Sequence, residues 1–140
     1  MGFGLLFIGY FMANLMSIHK FGAFVSLAGY IIVLVASCKL VKYNKNFGFL
    51  QLGAILMIAV HALVSAADVG DFLYSEMIIS RNVFTDGFDN IMANVETAAD
   101  FIFSAAMLWS IRAIAIETEV DKIAFGAVRN FVFICVYNIL

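Results

Sequence analysis

The sequence predicts an all-α fold: a polytopic transmembrane helix bundle of about five spans, joined by short turns and one longer amphipathic outer connection. Three observations carry that expectation. The first is composition. Of 140 residues, 64% are apolar and 13% charged, and mean hydropathy is +1.02, whereas globular domains run near one quarter charged. The second is run length. Phe47 to Ala67 holds 21 residues without a formal charge, about 31 Å of α-helix and therefore about one hydrocarbon core. The third is the uneven placement of Lys and Arg between turns, which orients the spans. Together they exclude a soluble fold and leave residues 1–140 as a single integral membrane domain. A net charge of −2, with no basic stripe, also excludes nucleic acid as a partner.

Taken in order, the first span is expected over residues 2–18. It lacks the basic n-region and A-x-A site of a cleaved leader, so it is read as retained. The opening MGFGLL lacks the Ser or Thr of a myristoylation signal. His19 and Lys20 mark a short turn, and residues 21–38 form the second span. Within it Gly22, Ser26 and Gly29 stand at i, i+4 and i+7, a stripe of small residues that lets a neighbouring backbone come close. A basic turn with Lys39, Lys42 and Lys45 precedes the third span, 47–67.

The connection Asp68 to Asn94 is long at 27 residues, and it is not simply polar. Val69, Leu73, Met77, Phe84, Phe88, Ile91 and Val95 recur every three, four or seven residues. That spacing predicts an amphipathic helix in the interface, broken at Asp86-Gly87 and capping the outer mouth of the bundle. The fourth span, 95–116, carries Glu96 and Asp100 in its first two turns and Arg112 in its last, an arrangement that suits the helix dipole. A fifth span, 123–140, contains Arg129 and stops at Leu140 without a polar flank, so the chain is expected to continue. Cys38 and Cys135 have no CxxC or metal-ligand spacing and read as buried packing residues. Proline is absent, and no internal repeat is evident.

Placing the Lys39 to Asn46 turn inside puts Lys39, Lys42, Lys45, Arg112, Lys122 and Arg129 on the cytoplasmic side, against Lys20 and Arg81 outside. The expected location is therefore the cell membrane, with the N-terminus cytoplasmic.

His61 is the first functional candidate, because it is a titratable group inside a span where an apolar residue costs less. On the third span His61, Ser65 and Asp68 are spaced i, i+4, i+7, and on the fourth Glu96, Asp100 and Ser104 are spaced i, i+4, i+8. Measured from the span ends, His61 and Asp100 share a level about 10 Å deep. If the stripes face each other they form an outward-opening polar pocket, with Asn14 and Asn138 at similar depth. The leading reading is structural: a His61 and Asp100 hydrogen bond between helices in a structural or regulatory membrane component. The runner-up is a small-solute or ion/proton-coupled transporter subunit that uses the same groups to bind a cation or relay protons. A weaker third is an intramembrane metal-dependent hydrolase. A catalytic zinc site usually takes three protein ligands rich in His, and the chain has two His in all. No cofactor or metal is expected. The expected partners are the lipid bilayer and a second copy or another membrane protein. Arg112 and Arg129 read as cations snorkelling to the headgroups, and Glu117, Glu119 and Asp121 as their partners or as solvated charges.

The opening GFGLLFIGYF, the LWSIRAIAIETEV segment and the AVRNF run together resemble a group of small multi-pass bacterial membrane proteins whose activity is uncharacterised. The resemblance covers nearly the whole chain. It implies several spans and a longer C-terminus, and it carries over no activity or motif residue.

Overall fold

The computed structural model describes residues 2–15, 22–76 and 86–139. They form five helices: α1 (Gly2–Leu15), α2 (Gly22–Leu40), α3 (Phe47–Ser75), α4 (Asp86–Glu117) and α5 (Asp121–Ile139). Among the described residues there is no strand, and the all-α bundle stands. Three helical segments, Gly22–Leu40, Phe47–Ser75 and Asn90–Glu117, are long and apolar enough to cross a membrane, the mark of a membrane protein. Among the described residues, three of the five expected spans meet both length and composition. Helix α1 is apolar but has 14 residues, about 21 Å, and residues 16–18 of its expected span lie outside the described residues. Helix α5 has 19 residues but includes Asp121, Lys122 and Arg129.

The bounds of the expected connection move inward on both sides. Residues 68–75 continue α3 and residues 86–94 open α4, while 77–85, with Met77, Arg81 and Phe84, lie outside the described residues. The cause is the backbone. Helix propagation satisfies each N–H and C=O locally, and with no proline to interrupt it the ladder runs past the apolar segment. Helices of 29 and 32 residues result, about 43 and 48 Å long.

Each helix packs on the next in the chain, α1 on α2, α2 on α3, α3 on α4 and α4 on α5. The central helix is α3. Phe47, Leu50, Ala54, Met57 and His61 are all buried, and their alternating spacing of three and four is the seam of helices crossing at a small angle. Across that seam stand Val33 and Tyr30 of α2 and Phe103 of α4, at most 2% exposed. Tyr30 meets Phe103 edge-on, with ring centroids 5.1 Å apart. The outer surface is the reverse. Phe7, Leu52, Ile91 and Phe125 are each at least 65% exposed, as lipid-facing positions require. Cys38 is exposed and Cys135 partly so, which corrects the reading of both as buried.

Two close approaches set the register. A Cβ added at Gly29 would lie 2.5 Å from the Ala13 amide nitrogen and 2.7 Å from the Gly9 carbonyl oxygen. Ser26 Oγ donates to the Ala13 carbonyl at 2.9 Å, and Gly22 is buried on the same helix. On the other side of the bundle a Cβ at Gly53 would stand 3.2 Å from Phe103 Cα. The basic turn is tied to the end of α4 by Ser110 Oγ, 3.1 Å from the Asn46 carbonyl, and by Asn44 Nδ2, which donates to Glu117 Oε2 at 2.9 Å.

Candidate functional site

His61 continues the buried stripe of α3 one position beyond Met57, where an apolar side chain would otherwise sit. It is 6% exposed. Its Nδ1 lies 3.1 Å from the Met57 carbonyl oxygen one turn back. A carbonyl only accepts, so Nδ1 carries the hydrogen and donates. The other nitrogen, Nε2, stands 3.4 Å from Glu96 Oε1. With Nδ1–H committed, attraction across that gap needs one proton, held by Nε2 or by the carboxyl group. The ring rests on Tyr30, centroid to centroid 4.9 Å.

The partner of His61 is thus Glu96 rather than Asp100. Depths counted from residues 67 and 95 place Asp100 opposite the imidazole, but both helices run beyond those points, and the Gly53 and Phe103 contact sets the register instead. Met92, Glu96, Ala99 and Phe103 follow the α3-facing line of α4, whereas a further step of four residues turns Asp100 about 40° beyond Glu96 and about 70° off that line. Asp100 looks toward α1.

Glu96 and Asp100 both line a cleft of about 600 Å³ bounded by α1, α4 and α5. Its polar wall is Tyr10 and Asn14 from α1 and Glu96, Thr97, Asp100 and Ser104 from α4. Tyr137 of α5 stands at its side. The cleft lies between α1 and α5, which do not pack on each other among the described residues. It is therefore not the pocket expected between the α3 and α4 stripes. Glu96 joins the two settings, with one face to buried His61 and another to the cleft. Asn14 Nδ2 donates to the Tyr10 carbonyl at 3.0 Å, and Thr97 Oγ1 donates to the Ala93 carbonyl at 2.9 Å. Thr97 thus has its one donor directed at backbone and Asn14 one of its two, so each also offers the cleft an acceptor oxygen beside two carboxyl groups. Such a wall suits a cation or a protonated solute.

The remaining expected residues fall elsewhere. Ser65 is buried one turn beyond His61, and its Oγ has no hydrogen-bond partner among the described residues. Asp68 is exposed on the C-terminal part of α3. The side chain of Asn138 lies outside the described residues. Tyr10, Thr97 and Tyr137 are cleft residues that sequence reasoning missed. Tyr10 and Asn14 stand at i and i+4 of one helix, a signal that was legible once Asn14 had been singled out. Among the described residues no three His, Cys, Asp or Glu side chains converge as a metal site.

Comparison with protein-family models, with curated proteins and with solved structures gave no match for this chain.

Proposed function

We propose that this chain is a multi-pass protein of the cell membrane, N-terminus cytoplasmic, acting as a subunit of a small-solute or ion/proton-coupled carrier. The acidic cleft is its cation-binding site. The observation that carries the reading is Glu96, one carboxyl group that lines an open cleft and also contacts a buried imidazole. Glu96 and Asp100 are one turn apart on the same helix, where two like charges repel unless a cation or a proton stands between them. A cation held between the two carboxyl groups relieves that repulsion. The structural or regulatory component favoured from sequence requires no such opening.

The test is flux. Proteoliposomes of the full chain are expected to take up protons or a monovalent cation above the lipid background, and Asp100→Asn to abolish that uptake. The variant should keep its helical circular dichroism, because an amide retains an acceptor and adds donors. Background flux in the wild type returns the protein to the structural class.

Orientation is tested separately. The N-terminus lies at the same end as the basic turn, where a Cβ on Gly2 would touch Leu40. In a background lacking Cys38 and Cys135, single cysteines at the exposed Tyr43 and Glu76 positions should label from opposite sides of intact cells. Only Glu76→Cys is expected to react with an impermeant reagent, and reaction at position 43 inverts the topology.

A further inference from the structure

A second cleft, on the far side of α4, has the opposite chemistry. It encloses about 570 Å³ between Phe49 of α3, Ala105, Trp109 and Arg112 of α4, and Ala127 and Phe131 of α5. The alanines open it, since Ala127 stands where α5 comes against α4 and is 5% exposed. Arg112 is the one charged group on its wall. Its guanidinium carbon lies 5.6 Å from the centroid of the Trp109 ring, one turn earlier on the helix, a cation–π arrangement that holds the cation at the cleft. Among the described residues no carboxylate pairs with it.

Depth gives the cleft a direction. Arg112 stands five residues from the last residue of α4, Glu117, about 7.5 Å, and Ala105 lies roughly 10 Å deeper. The cleft thus runs from headgroup level into the hydrocarbon, with an unpaired cation and a half-exposed tryptophan at its mouth and apolar walls below. Ser110 ties this end of α4 to the turn that carries Lys42 and Lys45, and because Glu117, Glu119 and Asp121 stand at the same end, the anion preference rests on Arg112 itself.

We propose that this cleft is a binding site for an anionic phospholipid, with its phosphate on Arg112 beside Trp109 and one acyl chain along the α4 and α5 groove. Charge complementarity selects that occupant. A zwitterionic lipid brings its own cation to the mouth of the site, and a second protein copy would leave Arg112 buried unless it supplied a carboxylate. The inference is independent of the acidic cleft.

Trp109 is the only tryptophan in the chain, so its fluorescence reports on the site directly. The full chain in phosphatidylcholine vesicles is titrated with brominated phosphatidylglycerol or brominated phosphatidylcholine at equal mole fraction. We expect quenching to show a preference for the anionic lipid of about fivefold. Arg112→Gln should erase the preference, and Arg112→Lys should keep part of it. Ala105→Phe, which fills the groove, should reduce quenching by either lipid. Equal quenching by the two lipids in the wild type overturns the proposal, whatever the variants do. So does a preference that survives Arg112→Gln. A Trp109 shielded from both lipids in a protein that cross-links as a dimer also overturns it and assigns the groove to a second copy.

Discussion

Helix α1 has two faces that meet the bundle in opposite ways. Toward α2 it presents Gly9 and Ala13, and Gly29 and Ser26 bring the two backbones together with no room for another atom. Toward α4 and α5 it presents Tyr10 and Asn14 across an open cleft. The residues alternate along the same two turns, so neither hydropathy nor helix length distinguishes the faces. Side-chain size does. In a bilayer, where apolar residues gain nothing from leaving lipid, close association depends on small residues and van der Waals contact. A helix face with a tyrosine and an asparagine, by contrast, cannot close on its neighbour and leaves space for polar groups.

The sharpest way to break this comparison is to fill the seam. Gly29→Leu places a branched side chain where even a Cβ is 2.5 Å from a main-chain nitrogen, and backbone cannot yield as a flexible side chain would. We expect a loss of about 3 kcal/mol or more, or failure to fold, in detergent unfolding monitored by circular dichroism. Gly4→Leu is the matched control, because a Cβ at Gly4 meets nothing within 4 Å, and its cost should stay within about 0.5 kcal/mol. Equal costs at the two positions would mean that α1 does not pack on α2 in this register.

A smaller effect is expected where the open and closed parts touch. Glu96 is 44% exposed on its side chain while His61 is 7% exposed, so the carboxyl group finds water in the cleft when its partner is lost. The single variants His61→Leu and Glu96→Gln should therefore be mild. Their coupling in a double-mutant cycle carries the information, and we expect about 0.6 to 1.7 kcal/mol, the range of interhelical hydrogen bonds in membranes. Strict additivity would remove the His61 and Glu96 contact and with it the link between buried imidazole and cleft.

The fold class was legible because it rests on composition and run length, which survive any error in register. The i, i+4 spacing of His61 and Ser65, which are both buried, needs only the helix period, whereas Asp68 at i+7 is exposed. What could not be read was depth. Counting from residue 67 inward presumes that the helix ends where the apolar run ends, yet α3 continues to Ser75 through Asp68 and Asp71. Hence Asp100 was set against His61 one turn too far along, and Glu96 takes its place. The small-residue stripe on α2 announced a close partner without naming it, since Gly9 and Ala13 become informative only when the two helices are set side by side. The cleft was hidden for a similar reason. It lies where α1 meets the consecutive helices α4 and α5 from far away in the chain, and no spacing within one helix reports on that meeting.

The smallest expected effect concerns the turn that sends α5 back along α4 and so forms one wall of each cleft. Glu119 has φ of 59°, the left-handed region. Around it Val120 N–H donates to the Ala115 carbonyl at 2.8 Å and Glu119 N–H to the Ile116 carbonyl at 3.2 Å. That pairing, six residues spanned by one bond and four by the other, is the helix stop in which glycine is the usual residue at the left-handed position. A side chain there costs about 1 kcal/mol relative to glycine. The Glu119 side chain is exposed and has no role in either cleft wall. Glu119→Gly is therefore expected to stabilise the protein by somewhat less than that, about 0.5 to 1 kcal/mol, because glycine also loosens the unfolded chain. The unfolding midpoint in detergent should rise, with cation uptake and the Trp109 lipid preference unchanged. A fall in the midpoint would show that the carboxylate at position 119 holds this turn by a contact beyond its backbone geometry, and that α5 is positioned by charge rather than by the helix stop.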